Sequence, residues 1–310
     1  MISKLGLLLI SLSVLTMVNS GVILRSLVEP LEYDTELTQR LPDAIIIGAK
    51  KCGTRALLKF IGAHPNVSTT GAEVHFFDRF YHMGLDWYKE QMPFTSENQL
   101  TIEKTPKYLV DKRVPRRVFR MNPKMKLIVV LRNPVDRAIS EYVQGKENHY
   151  KKRRAPSNKR RFRNASLNDS VIFEKMIYDK QHRIRVNKPL IRNGLFIEHL
   201  QNWLKFFPIE QFVFINGESL VKTPSVEIEK LEKFLNLKHV IKKGHFVHNQ
   251  RKGFPCIYKP LDSQKVKCLN EQKGRVHPTI DKRVVDDLHE FYRPYNEELF
   301  ETIGQTPWWS

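Results

Sequence analysis

The stretch IIIGAKKCGTRALL, residues 45–58, decides the fold class. Its isoleucines predict a buried strand. Residues 48–53 then predict a loop that carries lysines, and the residues after this loop predict the start of a helix. Such a loop wraps backbone N–H groups around an anion, and the helix dipole adds partial positive charge. The glycine spacing matches the ATP-binding P-loop, but Thr54 and Arg55 stand where that motif requires Lys and Ser or Thr. The stretch therefore predicts a phosphate loop that binds neither ATP nor GTP.

A second stretch, residues 127–134, predicts another anion site at the end of a strand. Its LIVVL run is typical of a strand buried on both faces, and Arg132 follows where a nucleotide hydrolase places a magnesium-binding Asp. Arginine there binds a phosphate rather than a metal. Pro134 opens a helix over residues 135–143 that carries Ser140. The alternative for Arg132 is an ion pair with Asp136 at the start of this helix.

The alternation of strands and helices predicts an α/β fold, a P-loop-like three-layer αβα arrangement around a central parallel sheet. Apolar runs predict strands at residues 44–47, 101–104, 127–131 and 212–216. Helical patterns cover residues 54–62, 194–207 and 280–303, the last interrupted near Pro294. Ligands of such sheets bind at the carboxyl ends of the strands. Because the phosphate loop, Glu73, Lys104 and Arg132 each follow a predicted strand, we expect them to converge.

Five motifs, in this order, resemble the heparan sulfate glucosamine 3-O-sulfotransferases: GAKKCGTRALL (48–58), EVHFFD (73–78), IEKTPKY (102–108), VVLRNPVDRAISEY (129–142) and KGRVHP (273–278). The resemblance implies the fold of sulfotransferases that use 3′-phosphoadenylyl sulfate (PAPS), in one domain over residues 42–310. It also implies transfer of a sulfuryl group from PAPS to the 3-hydroxyl of glucosamine in heparan sulfate. No metal-ligand cluster is visible in the sequence, and we expect none, because lysines can supply the positive charge.

The resemblance implies a set of PAPS-binding residues, namely Lys51, Cys52, Gly53, Thr54, Arg55, Arg132, Ser140, Lys273, Gly274, Arg275, Val276 and His277. In the family, the positions of Arg132 and Ser140 bind the 3′-phosphate. Lys51 and the loop amides lie where the 5′-phosphosulfate binds. The role of Arg55 stays open, since it could serve PAPS or the acceptor.

Glu73 is the predicted general base, because a sugar hydroxyl needs a positioned carboxylate to take its proton as the S–O bond forms. The other implied catalytic residues are Lys51, Lys104, His75 and Asp78. His75 and Asp78 are implied either to orient the carboxylate or to touch the acceptor. The implied acceptor contacts are Lys104, Lys107 and Gln144. The alternative is an ordinary loop carboxylate at Glu73 and a buried polar residue at His75.

Three other functions compete with this interpretation. A kinase or NTPase shares the phosphate loop, but Arg132 and the missing Lys-Ser/Thr pair argue against it. The hypothesis of a non-catalytic, heparin-binding secreted protein accounts for the positive charge, but it does not account for Glu73. Another glycosaminoglycan sulfotransferase, of the N-sulfotransferase type, shares the phosphate motifs and is the nearest rival.

The N-terminus predicts entry into the secretory pathway. Lys4 precedes an apolar stretch over residues 5–18, which is shorter than the roughly 20 residues of a membrane span. A signal peptide over residues 1–20 fits this pattern, and a short anchor is the alternative. Residues 21–41 would form a stem outside the fold. We therefore expect a protein of the Golgi lumen or a secreted one.

The chain has 3 cysteines. Cys256 and Cys268 flank a segment rich in Lys, Pro and Asp, which predicts a disulfide closing a surface hairpin in an oxidising compartment. Two unpaired thiols are the alternative. Cys52 is left over, and no thiol chemistry is needed in the phosphate loop. The triplets at Asn66, Asn164 and Asn168 fit the N-glycosylation pattern.

The net charge of +19 predicts a polyanionic partner. Heparan sulfate fits this charge. Nucleic acid would be attracted too, but the secretory start argues against it. Much of the charge lies in a basic insertion at residues 146–163, for which a glycan-binding arm and a solvated loop stay open. We expect a monomer.

Overall fold

The computed structural model describes residues 36–153, 169–250, 253–269 and 277–309, with only the backbone described for residues 150–153. The strands in these ranges are β1 (Thr38–Gln39), β2 (Ala44–Gly48), β3 (Val67–Thr69), β4 (Phe94–Thr95), β5 (Leu100–Lys104), β6 (Lys126–Leu131), β7 (Phe212–Asn216), β8 (Phe246–Asn249), β9 (Phe254–Tyr258) and β10 (Val266–Lys267). Five of them form a parallel sheet in the order β3-β5-β2-β6-β7. The predicted α/β fold with a central parallel sheet is confirmed.

The sheet forms because its strands are apolar on both faces. Every residue of β2 is buried, and so is every residue of β6 after Lys126. Parallel strands need crossover helices, which cover both faces and leave no solvated side. Within the sheet, Ile46 lies opposite both Lys104 of β5 and Ile128 of β6. This register brings the carboxyl ends of three strands to one edge.

The helices surround this sheet. They are α1 (Thr54–Ile61), α2 (Gly84–Glu90), α3 (Val114–Met121), α4 (Pro134–Arg153), α5 (Asp169–Ile177), α6 (Pro189–Arg192), α7 (Phe196–Leu204), α8 (Ser219–Lys222), α9 (Pro224–Leu235) and α10 (Lys282–Thr302). The main core packs around the sheet and includes Trp203, whose Nε1 donates to the carbonyl of Leu109 at 3.1 Å. A second cluster joins α4, α5 and α10 through Ile139, Phe173 and Leu288.

Two helices differ from the prediction. Helix α4 continues past residue 143 to Arg153, so the first part of the predicted basic insertion is helical. The interruption predicted near Pro294 was wrong, because α10 runs through this residue. Buried Leu288, Tyr292 and Leu299 hold the helix on both sides of the proline and offset its missing hydrogen bond. None of the described helices combines the length and the hydropathy needed to cross a lipid bilayer.

The end of the segment predicted as a stem takes part in the fold. Thr38 and Gln39 pair with Thr95 and Phe94 in a short antiparallel ribbon. The side-chain amide of Gln39 donates to the carbonyls of Glu90 and Met92, both at 2.8 Å. Residues 1–35, which include the predicted signal peptide, lie outside the described residues.

A separate three-stranded sheet, ordered β10-β9-β8, carries the disulfide. Cys256 and Cys268 are joined, which is the predicted pairing. Two lysines tie this sheet to the end of α1, because Lys59 donates to the carbonyl of Cys268 and Lys259 to that of Gly62. The rings of Phe60 and Phe246 pack edge to face, with centroids 5.2 Å apart. The hairpin is therefore anchored on the helix that follows the phosphate loop.

Replacing both Cys256 and Cys268 by Ser should lower the free energy of unfolding. The bond closes a loop with a sequence separation of 12, and loss of this closure costs about 3 kcal/mol by chain entropy. Chemical denaturation of both proteins without reductant measures the difference. Peptide mapping without reduction is the companion test, and a cross-linked peptide that contains Cys52 would contradict the assignment.

Candidate active site

The phosphate loop connects β2 to α1. Two of its residues take a left-handed backbone, Lys51 with φ 76° and Gly53 with φ 107°. A glycine at position 53 accommodates this conformation without the Cβ clash of other residues. The first turn of α1 begins at Thr54, and the N–H groups of a first turn have no acceptor within their own helix. The geometry thus presents amides and a helix N-terminus to an anion.

Gly217, directly after β7, lies close to the phosphate loop. A Cβ at this position would come within 2.5 Å of the carbonyl oxygen of Cys52 and 2.8 Å of that of Leu131. The N–H of Gly217 donates to this same Leu131 carbonyl at 2.7 Å. The end of β6, the end of β7 and the phosphate loop are therefore in backbone contact, which only glycine permits.

A cavity of about 790 Å³ opens at this edge of the sheet. Most of the residues predicted for the site line it: Lys51, Cys52, Gly53, Thr54, Arg55, Glu73, His75, Lys104, Lys107, Arg132, Ser140, Gln144 and His277. The described lining includes 8 lysines or arginines but only Glu73 and Glu218 as acids. The cavity is therefore built for an anionic ligand.

Glu73 and Lys104 meet at the wall of this cavity. The Nζ of Lys104 lies 2.5 Å from Oε1 of Glu73. The lysine side chain is 2% exposed and the glutamate side chain 41%. Burial lowers the pKa of Lys104, while the hydrogen bond and charge of Glu73 act in the opposite direction. A carboxylate open to the cavity thus stands beside a nearly buried ammonium group.

His75 links Glu73 to Asp78. Its Nε2 lies 3.4 Å from Oε2 of Glu73, and its Nδ1 lies 3.0 Å from Oδ2 of Asp78. The Asp78 side chain is 1% exposed and does not line the cavity. His75 thus contacts Glu73 through one ring nitrogen and Asp78 through the other. Whether His75 and Asp78 orient the carboxylate or touch the acceptor stays a prediction.

Arg132 follows β6 and reaches two carboxylates. Its guanidinium lies 3.5 Å from Asp136 and 3.5 Å from Glu218. The ion pair offered as the alternative for Arg132 therefore forms, but the side chain still lines the cavity and is 26% exposed. Glu218 also accepts the N–H of Asn133 at 3.0 Å. These contacts hold Arg132 at the cavity wall without removing it from the cavity.

His277 lies on the same side as Arg132. Burial lowers the pKa of its imidazole, and the charges of Arg132 and Lys51 lower it further. The imidazole is thus shifted toward its neutral form. A neutral imidazole can still donate one hydrogen bond and accept another.

Residues 41–306 match the family described as "Sulfotransferase domain". Heparan sulfate glucosamine 3-O-sulfotransferase 6 of Mus musculus is 43% identical over 271 residues, covering 87% of this chain and 74% of that protein. This chain belongs to the heparan sulfate glucosamine 3-O-sulfotransferase family. The predicted resemblance is confirmed.

Other relatives agree with this membership. The 3A1 member of Mus musculus is 45% identical over 276 residues, 88% of this chain and 66% of its own length. The chain thus spans slightly less than two thirds of that relative. A sulfotransferase structure from Alicyclobacillus acidocaldarius superposes with a TM-score of 0.58 at 21% identity, covering 86% of this chain and 97% of that one. This likeness supports the sulfotransferase fold.

Several residues that the sequence analysis singled out lie outside the described ranges. They are Lys273, Gly274, Arg275, Val276, Asn164 and Asn168, together with residues 154–163 of the basic insertion. Asn66 is exposed, and its side-chain amide donates to the carbonyl of Asn98 at 3.0 Å. The part of the chain that the structure describes contains no cluster of three or more acidic, His or Cys residues suited to a metal. The absence of a metal from the reaction stays a prediction.

The motifs did not identify the acidic residues that support the family's cationic cavity. Glu141 accepts from Lys50 at 2.8 Å and from fully buried Arg137 at 2.5 Å. Spacing of four residues between Arg137 and Glu141 on a predicted helix is a signal that could have suggested this pair. Glu218 follows a strand end of the same sheet, which could have suggested its place at the site.

Cys52 is a buried, unoxidised cysteine in the phosphate loop. It is 2% exposed, and burial raises its pKa to about 12, although Arg137 and Arg132 act to lower it. A thiol protonated at neutral pH is a poor nucleophile. We therefore assign it a packing role.

Cys52 should react much more slowly with iodoacetamide at pH 8 than a free cysteine, since alkylation needs the thiolate. Unfolding in urea should restore the ordinary rate, which provides the internal control. Mass spectrometry of the peptide that contains Cys52 follows both reactions. Fast alkylation of the native protein would contradict the raised pKa.

Proposed function

We propose that this chain transfers a sulfuryl group from PAPS to the 3-hydroxyl of glucosamine residues in heparan sulfate. In this reaction the hydroxyl O–H bond breaks and an S–O bond to the sugar forms. The S–O bond to the 5′-phosphate breaks, and adenosine 3′,5′-bisphosphate leaves. The observation that carries the proposal is the contact of Glu73 with Lys104 in the same cavity as the phosphate loop and Arg132. Family membership supports it.

Glu73 is proposed as the general base. Its carboxylate is the more exposed member of the pair with Lys104, so a sugar hydroxyl can approach it. The carboxylate takes the hydroxyl proton as the sugar oxygen attacks sulfur. Without such a base, a sugar hydroxyl is a poor nucleophile. His75, held by Asp78, limits the directions that the carboxylate can take.

Lys104 and Lys51 are proposed to stabilise negative charge during the transfer. Positively charged groups fixed in a cavity act where charge develops and need no reorganisation. Lys104 lies beside the base, and Lys51 lies in the phosphate loop. Charge that builds on the departing 5′-phosphate would meet the loop amides and Lys51.

The cavity fits a nucleotide with anionic groups at two points. The loop at residues 50–55 offers one anion site, and Arg132 with Ser140 offers the second. Thr54 adds a hydroxyl at the start of α1. We propose that the first site holds the 5′-phosphosulfate and the second the 3′-phosphate, with His277 beside the latter.

The acceptor is proposed to enter past Lys107 and Gln144, which line the cavity together with Glu73. Lys107 is exposed, as suits a contact with a substrate sulfate or carboxylate. Arg55 donates to the carbonyl of Gly71 at 2.6 Å, two residues before Glu73. This contact supports a role for Arg55 toward the acceptor, in addition to its place in the phosphate loop.

The N-terminal sequence supports a location for this protein, because its pattern predicts entry into the secretory pathway. We propose the Golgi lumen or the cell exterior as the site of action, with a monomer as the active form.

The deciding experiment incubates the protein with heparan sulfate and radiolabelled PAPS, followed by disaccharide analysis. Label on the 3-hydroxyl of glucosamine is the expected result. Label on the amino group would instead identify an N-sulfotransferase. Heparin binding without any transfer would indicate a non-catalytic binding protein.

Glu73→Gln should retain PAPS binding and lose turnover by about 10²–10⁴-fold, because the amide keeps the shape but cannot accept the proton. Turnover with labelled PAPS and PAPS affinity by calorimetry are the measurements. Glu97→Gln, an exposed residue outside the cavity lining, is the matched control. If the variant keeps more than about a tenth of wild-type turnover, Glu73 is not the base.

Arg132→Ala should weaken PAPS binding by about 1.5–3 kcal/mol, the worth of a charge-assisted contact, with heparin affinity almost unchanged. Calorimetry with PAPS and heparin chromatography separate the two effects. Arg116→Ala removes the same charge from an exposed position of α3 and serves as the control. If Arg132→Ala and Arg116→Ala lose the same heparin affinity and both keep their PAPS affinity, Arg132 does not belong to the PAPS site.

A further inference from the structure

Glu103 is a buried carboxylate that the proposed function does not use. It precedes Lys104 at the end of β5 and is 0% exposed. Successive side chains of a strand point to opposite faces. Lys104 therefore reaches Glu73 from one face of β5, while Glu103 lies behind the strand. Burying a carboxylate is costly unless hydrogen bonds compensate it, so its partners identify its role.

The partners of Glu103 lead to the backbone that follows Glu73. Its Oε1 accepts the hydroxyl of Thr105 at 2.6 Å. The oxygen of this hydroxyl accepts the N–H of His75 at 3.2 Å. The N–H of Val74 also hydrogen-bonds to the Glu103 carboxylate. The two amides directly after Glu73 are thus held by one carboxylate, one of them through Thr105.

This backbone needs such support. His75 has φ 56°, a left-handed conformation that residues other than glycine adopt infrequently. Strained backbone of this kind persists only where the surrounding structure holds it. The left-handed turn points His75 back at Glu73, with 3.4 Å between Nε2 and Oε2.

We infer that Glu103, acting through Thr105, is a positioning residue that holds Glu73 and His75 in their arrangement at Lys104. It touches neither PAPS nor the acceptor, since its side chain lies outside the cavity lining. The inference rests on the proposed function, because it names the support of that same base.

The donors around Glu103 match its ionised form. An ionised carboxylate only accepts hydrogen bonds, and here it accepts from Thr105, from Val74 and from the hydroxyl of Tyr88 at 3.4 Å. A protonated carboxyl must itself donate one. Protonation of Glu103 therefore opposes at least one of these hydrogen bonds and loosens the turn at His75.

Burial raises the pKa of Glu103 to about 7, while Thr105, Val74 and Lys104 act to lower it. The titratable groups that face it are Lys104 on its own strand, Tyr88 from α2 and Tyr108 from the turn after β5. Burial raises the pKa of both tyrosines, so they stay neutral. The positioning is accordingly present above pH 7 and is lost as the pH falls through 7.

The test uses the full chain with PAPS and heparan sulfate. Glu103→Gln and Thr105→Val should each lower kcat by roughly 10- to 100-fold, the effect of a slight misplacement of a catalytic group. The KM for PAPS should change by less than about twofold, since the phosphate loop and Arg132 are untouched. Thr105→Ser keeps the hydroxyl and should retain most of the activity. Glu103→Gln should also remove the part of the pH profile that titrates near pH 7.

Glu232→Gln is the matched control. Glu232 is also 0% exposed and accepts two backbone N–H groups, from Val240 and Ile241, but it lies outside the cavity lining. This variant should turn over like wild type. If Glu103→Gln loses no more turnover than Glu232→Gln, or if Thr105→Ser fares no better than Thr105→Val, the inference is overturned.

A crystal structure of Glu103→Gln provides a readout that does not depend on activity. Residues 73–75 should be displaced and the contact of Glu73 with Lys104 broken. An unmoved turn would overturn the inference even if the enzyme were inactive. Lack of transfer by the wild-type chain, in contrast, would refute the proposed function and leave this structural test to decide the positioning role.

Discussion

The contact between Lys104 and Glu73 is the interaction on which the site depends. An ammonium group that is 2% exposed is costly to hold away from water unless a carboxylate lies against it. The partner comes from 31 residues earlier in the chain, in the segment that follows β3. The lysine at the end of β5 therefore dictates where the segment after β3 must pass. Everything attached to this segment, including His75 and Asp78, takes its place from that pairing.

The cavity is strongly cationic, and acidic residues at its wall and behind it hold several cations in place. Repulsion between the lysines and arginines would push their side chains outward into water. Glu141 restrains Lys50 and Arg137, and Glu218 restrains Arg132. These acids leave the cations directed toward the cavity while cancelling part of their mutual repulsion. An anionic ligand completes the compensation, so we expect bound ligand to stabilise the whole domain.

The sequence predicted the parallel sheet and most of the described cavity lining because both depend on local signals. Strands buried on both faces have continuous apolar sequences, as in β2 and β6. The residues that follow such strands meet at one edge of the sheet. Pro294 shows the limit of a local rule. Proline usually interrupts a helix, but the tertiary packing of α10 outweighs this tendency. Residues 38 and 39 show another limit, since a strand of two residues has no periodicity that a sequence pattern could reveal.

Long-range contacts could not be predicted from the motifs. Nothing local to Glu103 reveals that its carboxylate supports the backbone of Val74 and His75, since that contact requires the fold to bring β5 beside the segment after β3. The same holds for Asp78, whose burial behind His75 depends on packing. Residue identity suggested which side chains do chemistry, and the three-dimensional structure was needed to see what holds them.

The backbone contact at Gly217 gives the cavity a fixed length. Because the end of β7 touches the carbonyls of Cys52 and Leu131, no side chain separates the phosphate loop from the strand that precedes Arg132. The main chain therefore fixes the distance between the phosphate loop and the end of β6. Under the proposed function, a nucleotide whose two anionic groups are too near together or too far apart would occupy one of the two proposed anion sites but not both. Selection by span would operate whatever base the nucleotide carries.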